Sequence, residues 1–256
     1  MMKAKNLWTL LATLYLFFFI SFAGSQEPNT QLTVQFHEAG VDYKAQDYKK
    51  AIELYEDIVK TGWVSGALYY NLGNSYLKDG QLGKAILSYE RARRLLPRDS
   101  DLISNYNFAL SQIKNEGDMG KEPFVNRLIN RYADSFTFDE MMVIVFICFF
   151  LTGFSYFLGL FFKWSPRTYV TSIVVTCLLL FGNGFIFAYK VGQQKNLAVV
   201  ISNASAKFEP LADATTHFEL TPGWRVKILT PEGEWVKVKR WDGKVGWIKS
   251  DTVGKI

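Results

Sequence analysis

Two stretches, Met141–Phe162 and Thr168–Tyr189, each run 22 residues without a charged side chain. At about 1.5 Å per residue such a helix reaches roughly 33 Å, enough for a hydrocarbon core of about 30 Å. A core helix of a soluble protein rarely stays uncharged on every face for so long. Only Lys163, Trp164, Ser165, Pro166 and Arg167 lie between the runs. Pro166 stops any helix that reaches it, so the pattern predicts a transmembrane hairpin with spans at 141–162 and 168–189. Lys163 and Arg167 in so short a loop favour the cytoplasmic side. Cys148 and Cys177 fall inside the runs and read as small packing side chains.

The N-terminus bears on the same question. Lys3 and Lys5 precede an apolar run from Leu7 to Ala23, broken only by Thr9, Thr13 and Ser21, and Ala23, Gly24 and Ser25 follow. That order matches the n-region, h-region and cleavage site of a secretory signal peptide over residues 1–25, with an uncleaved anchor as the alternative. Export by this segment and the loop cations agree. Both place residues 26–140 and 190–256 outside the cytoplasm.

Composition excludes several classes. Two Cys and two His leave no disulfide scaffold and no Cys- or His-rich metal site. The net charge of +5 is spread over the chain, and no segment concentrates the basic and aromatic residues of a nucleic-acid surface. Phosphate-loop, dinucleotide, nucleophile-elbow and zinc signatures are missing. The expectation is a protein that is not an enzyme, with no cofactor and no nucleic-acid partner.

Between the signal segment and the hairpin, one period repeats. In 66–99, Tyr69, Leu72, Gly73 and Tyr76 sit at helical spacing, followed by Ala85, Tyr89, Ala92 and Pro97. Gly73 and Ala85 let two antiparallel helices approach, Tyr76 and Tyr89 fill the space between them, and Gly80 serves the turn. The pattern resembles the tetratricopeptide repeat, about 34 residues long. Val34–Lys60 repeats it through Ala39, Gly40, Tyr43, Ala51, Tyr55 and Ile58. Leu102, Tyr106, Ala109, Leu110 and Ile113 then read as the capping helix that solenoids need, with Asn105 and Asn107 as polar additions. The expected solenoid covers residues 31–115.

The resemblance implies a concave face that takes extended segments of partner proteins. Its positions here are His37, Val41 and Lys44 in the first repeat and Tyr70, Asn74 and Lys78 in the second. Asn74 and Lys78 match a two-carboxylate clamp known from chaperone-binding members, whereas His37 and Val41 depart from it. Arg91, Arg93, Arg94 and Arg98 read as a solvated basic stretch. Gly117, Gly120 and Pro123 mark a linker, and Phe124, Leu128, Ile129 and Tyr132 then predict a juxtamembrane amphipathic helix within 116–140, with Arg127 and Arg131 beside them.

Residues 197–256 change period from helical to alternating, and the segment 190–256 that contains them holds 11 basic against 7 acidic side chains. Val226 and Ile228 share one face, as do Val236 and Val238 opposite Lys237 and Lys239. Gly233 and Asp242-Gly243 mark turns, and 198–201 and 245–248 are short apolar strands. About five strands are expected, closing as a small barrel. The segment resembles bacterial SH3-like domains, which bind cell-wall peptides or proteins through aromatic grooves. Trp235 and Trp247 belong to that fold signature, which leaves Trp224 and Trp241 as groove candidates.

The whole architecture is that of a multidomain membrane protein: an all-α tetratricopeptide solenoid, a two-helix transmembrane hairpin and a C-terminal all-β SH3-like barrel. This order resembles the BatE-like proteins of bacterial aerotolerance operons. The resemblance implies a multi-pass inner-membrane adaptor with both soluble domains in the periplasm. It also implies partners among Bat membrane proteins, von Willebrand factor A domain proteins and MoxR-type ATPases. The alternative is an envelope sensor that binds peptidoglycan through the barrel.

Overall fold

The computed structural model describes residues 30–113, 124–162 and 164–256. The expected signal segment, Lys163 and much of the linker lie outside the described residues.

Five helices form the N-terminal region: α1 (Thr30–Lys44), α2 (Tyr48–Lys60), α3 (Gly66–Lys78), α4 (Leu82–Leu95) and α5 (Ser100–Ser111). Short polar side chains start three of them. Asp47, Ser65 and Asp99 accept hydrogen bonds from the backbone N–H of Lys50, Leu68 and Leu102. Such caps are worth about 1 kcal/mol each. The core alternates small residues with rings: Ala51, Ala85 and Ala92 are fully buried beside Tyr55 and Tyr89. A Cβ on Gly73 would lie 2.7 Å from the Tyr89 ring, so only glycine lets α3 and α4 close on that tyrosine. Tyr76 donates to Glu56 of the preceding helix, tying successive repeats together.

A short helix, α6 (Phe124–Asp134), leads into α7 (Phe138–Phe161) and α8 (Pro166–Gln194). Both α7 and α8 are long and apolar enough to cross a membrane. Helix α7 starts before its uncharged run because Thr137 and Glu140 form a capping box. Pro166 occupies the first turn of α8, where its missing N–H is harmless, and Ser165 caps that end. The two helices are joined by a hydroxyl hydrogen bond between Ser155 and Ser172. Their outer faces stay open, with Leu178 and Phe181 68% and 72% exposed.

The C-terminal region is one antiparallel sheet of seven strands. They are β1 (Leu197–Val200), β2 (Ala204–Lys207), β3 (Thr216–Leu220), β4 (Arg225–Glu232), β5 (Trp235–Arg240), β6 (Val245–Lys249) and β7 (Val253–Lys255). The order is β3-β2-β6-β5-β4-β1-β7. Val226, Ile228, Val236 and Val238 are buried as the alternation predicts. The expected barrel differs in two respects. There are two strands more than expected, and β3 and β7 stand at opposite ends of the sheet without pairing.

The sheet packs on the outer side of α4. A Cβ on Gly83 would lie 2.7 Å from the Ile201 backbone. Arg91 donates two hydrogen bonds to the carbonyl of Lys255, at 3.1 and 2.6 Å, and Arg94 donates to the carbonyl of Ile256 at 2.9 Å. Glu90, buried on α4, pairs with Arg225 of β4 at 2.5 Å and with Arg93 at 3.7 Å. The Tyr106 hydroxyl donates to Glu90 and accepts from Arg225. Burial alone would raise the Glu90 carboxyl, but the guanidinium groups of Arg225 and Arg93 and the Tyr106 hydrogen bond hold it below its ordinary value. The arginine stretch expected to be solvated is therefore an interdomain clasp, with Arg98 paired to Glu140 of α7.

This close approach gives a testable sign. In an open helix Gly→Ala gains up to about 1 kcal/mol. At Gly83 the methyl meets backbone that cannot swing aside. Gly83→Ala is therefore expected to lower the melting temperature of the full chain and to speed amide hydrogen exchange in β1. A rise in melting temperature with unchanged exchange would contradict the close packing.

Candidate functional site

Helix α3 packs against both α1 and α5. Tyr70 and Asn74 lie one turn apart on α3, and Asn105 projects from α5. The Asn105 amide donates to the Tyr70 hydroxyl and to the Asn74 side-chain oxygen, each at 3.0 Å. The same Asn74 oxygen accepts from the Tyr89 hydroxyl at 2.7 Å. Burial of Tyr89, followed by the neighbouring Tyr70 and Tyr43, raises its phenol well above the usual range. It therefore remains a donor at any physiological pH. This network fixes the rotamer of Asn74 from below and orients a row of phenol and amide groups along the inner face.

The structure brings Tyr70 and Asn74 together through Asn105. The remaining solenoid positions, His37, Val41 and Lys44 on α1 and Lys78 on α3, are exposed side chains. Val41 is 52% exposed and Phe108 on α5 is 59% exposed, so the same side also offers apolar contact. Asn105 was legible only as a polar interruption of the capping helix. Its role emerges from α5 packing beside α3, which no local spacing encodes.

The two tryptophans expected to share a groove differ in setting. Trp224 is half-buried and packs against both the solenoid core and the sheet core, with the Arg240 guanidinium 5.1 Å above its ring. Trp241 is 44% exposed at the turn after β5. Trp235 and Trp247 sit on β5 and β6 with Lys207 and Lys237 over their rings. His217, on β3, stacks on Phe208 at 4.4 Å.

Chemically, the inner face offers neutral donors and acceptors beside apolar side chains and two lysines. Such a surface suits the backbone amides and side chains of an extended peptide segment. Among the described residues, no group of three or more His, Cys, Asp or Glu is placed to hold a metal ion.

Residues 66–99, which form α3, the turn and α4, match the tetratricopeptide repeat family. Repeats of this kind are protein-interaction modules and are typically not catalytic. A search of curated proteins finds no match to the chain.

Proposed function

We propose that this protein is a non-catalytic, membrane-anchored adaptor that holds a protein partner on the inner face of its solenoid. One observation carries the reading. The outer side of α4 is covered by the protein's own C-terminal sheet, while the half-buried Tyr70–Asn74–Asn105 row on α3 and α5 is pre-oriented by its own hydrogen bonds. A prearranged polar row lowers the ordering cost of binding a segment.

The same contact supports a membrane arrangement. Glu90 and Arg225 can pair only if the regions before and after the hairpin lie on one side of the bilayer. An even number of spans satisfies this, and the loop cations support that side being outside the cytoplasm, in the bacterial periplasm. The setting we propose is a Bat-type complex with von Willebrand factor A domain membrane proteins and MoxR-type ATPases. It is supported by the order of the segments. The C-terminal sheet, in its SH3-like reading, braces the solenoid.

Topology can be read by cysteine labelling. Asp101→Cys and Lys249→Cys are expected to react with an impermeant maleimide in intact spheroplasts, and Trp164→Cys only after permeabilisation. Opposite labelling of positions 101 and 249 would break the reading.

The functional test is photo-crosslinking in native membranes from positions 74 and 241. Defined protein adducts from position 74 are expected. Adducts to cell-wall fragments at 241 alone, with none at 74, would instead support peptidoglycan binding through the sheet.

A further inference from the structure

We infer that α6 is a lipid-docking helix, pinned side-on at the headgroup boundary of the leaflet nearest the solenoid; this rests on the membrane reading above. Along α6, Phe124, Val125, Leu128, Ile129 and Tyr132 fall on one arc, and Arg131, Arg127 and then Asp134 flank it on the Phe124 side. Phe124, Val125 and Leu128 are 68%, 63% and 52% exposed. A soluble surface seldom shows such a continuous apolar stripe without an occupant.

The occupant is identified by how α6 is held. Lys190 of α8, only 5% exposed, donates to the carbonyl of Ala133 at 2.7 Å and to that of Phe136. Ala133 lies in the last turn of α6, and Phe136 in the connection from it to α7. The Tyr132 hydroxyl donates to the Asn183 side-chain oxygen at 2.7 Å. Asn183 lies two turns before Lys190 on α8, about 10 Å along its axis. Interfacial helices bury their apolar face about 5–10 Å into the boundary between headgroups and acyl chains. The last turn of α6 is therefore fastened to α8 within that zone.

Through Tyr132 and Asn183 the apolar arc of α6 meets α8, whose apolar side chains are exposed, so the same acyl chains can cover both. Arg127 and Arg131, along the edge of that arc, then meet lipid phosphates. The Tyr132–Asn183 bond also gives Asn183 a partner at a depth where water is scarce. In this arrangement α6 sets the height and tilt of the solenoid above the membrane, which bears on what its inner face can reach.

Site-directed spin labelling of the full chain tests this in vesicles of phosphatidylethanolamine and phosphatidylglycerol. In a Cys148→Ser, Cys177→Ser background, labels are placed by Leu128→Cys, Val125→Cys, Arg131→Cys and, as a marker of the span, Val175→Cys. At 128 and 125, collisions with oxygen relative to a water-soluble nickel chelate are expected to exceed those at 131 several-fold. Position 175 should read deeper still. Nickel access at 128 and 125 equal to that at 131, with 175 deep, would overturn the inference and leave the spans standing. Nickel access at 175 would remove the membrane reading and this inference together. Labels at 128 and 125 shielded from both reagents would mean that protein covers the arc, and would also overturn it.

Discussion

Arg225→Met is expected to destabilise the folded chain by about 3 kcal/mol, the low end of the range for breaking a buried ion pair. Glu90 is 7% exposed, so water cannot replace the lost guanidinium. Arg93 and Tyr106 remain beside it, which keeps the loss from being larger. Glu90→Gln should cost less, because the Arg225 side chain is 42% exposed and can turn to solvent. Replacing both partners by apolar residues, Glu90→Leu with Arg225→Met, should recover much of the loss. Chemical denaturation of the four proteins gives the coupling directly. Equal losses for the two single variants would contradict the asymmetry.

The same pair sets a pH dependence. The folded Glu90 carboxyl lies below its unfolded value, near 4.5. Its stabilisation is therefore fully present above that value and is lost as the pH falls through the lower, folded one. Arg225→Met should flatten this acid limb. An acid limb of unchanged slope would mean that other carboxylates cause it.

Tyr89→Ala is expected to cost about 3–5 kcal/mol, since the ring is fully buried and fitted against Gly73. Tyr89→Phe separates packing from orientation. It keeps the ring and removes the hydroxyl that Asn74 accepts from, at about 1 kcal/mol of stability. Partner affinity should fall in Tyr89→Phe although that side chain lies beneath the binding face. A variant that loses stability but binds its partner as before would detach Asn74 from the proposed contact.

What could be read in the sequence follows the range of the interactions. The solenoid was legible because each repeat carries its small-and-aromatic pattern locally, and residues 66–99 match the family directly. The apolar helices were legible from uncharged length. Strands β4 and β5 showed through alternation and β1 and β6 through short apolar runs, whereas β2 reads Ala-Ser-Ala-Lys and β7 spans only Val253–Lys255, too weak or too short a pattern to signal a strand. The interdomain clasp had no local signal. Glu90 sits on a charged helix and Arg225 on the polar side of an alternating strand, and both look solvated until β4 is laid against α4. Trp224 likewise looked like a surface ring until both cores closed on it.

The most direct measurement compares binding of the partner captured from position 74 to the wild-type chain, to Tyr70→Ala with Asn105→Ala, and to Trp241→Ala. All three are reconstituted in the same bilayer. The account predicts a loss of at least about tenfold for the inner-face pair, or about 1.4 kcal/mol, and no change for Trp241→Ala. Unchanged affinity in the inner-face pair, with loss at Trp241, would contradict it and move the binding site to the sheet.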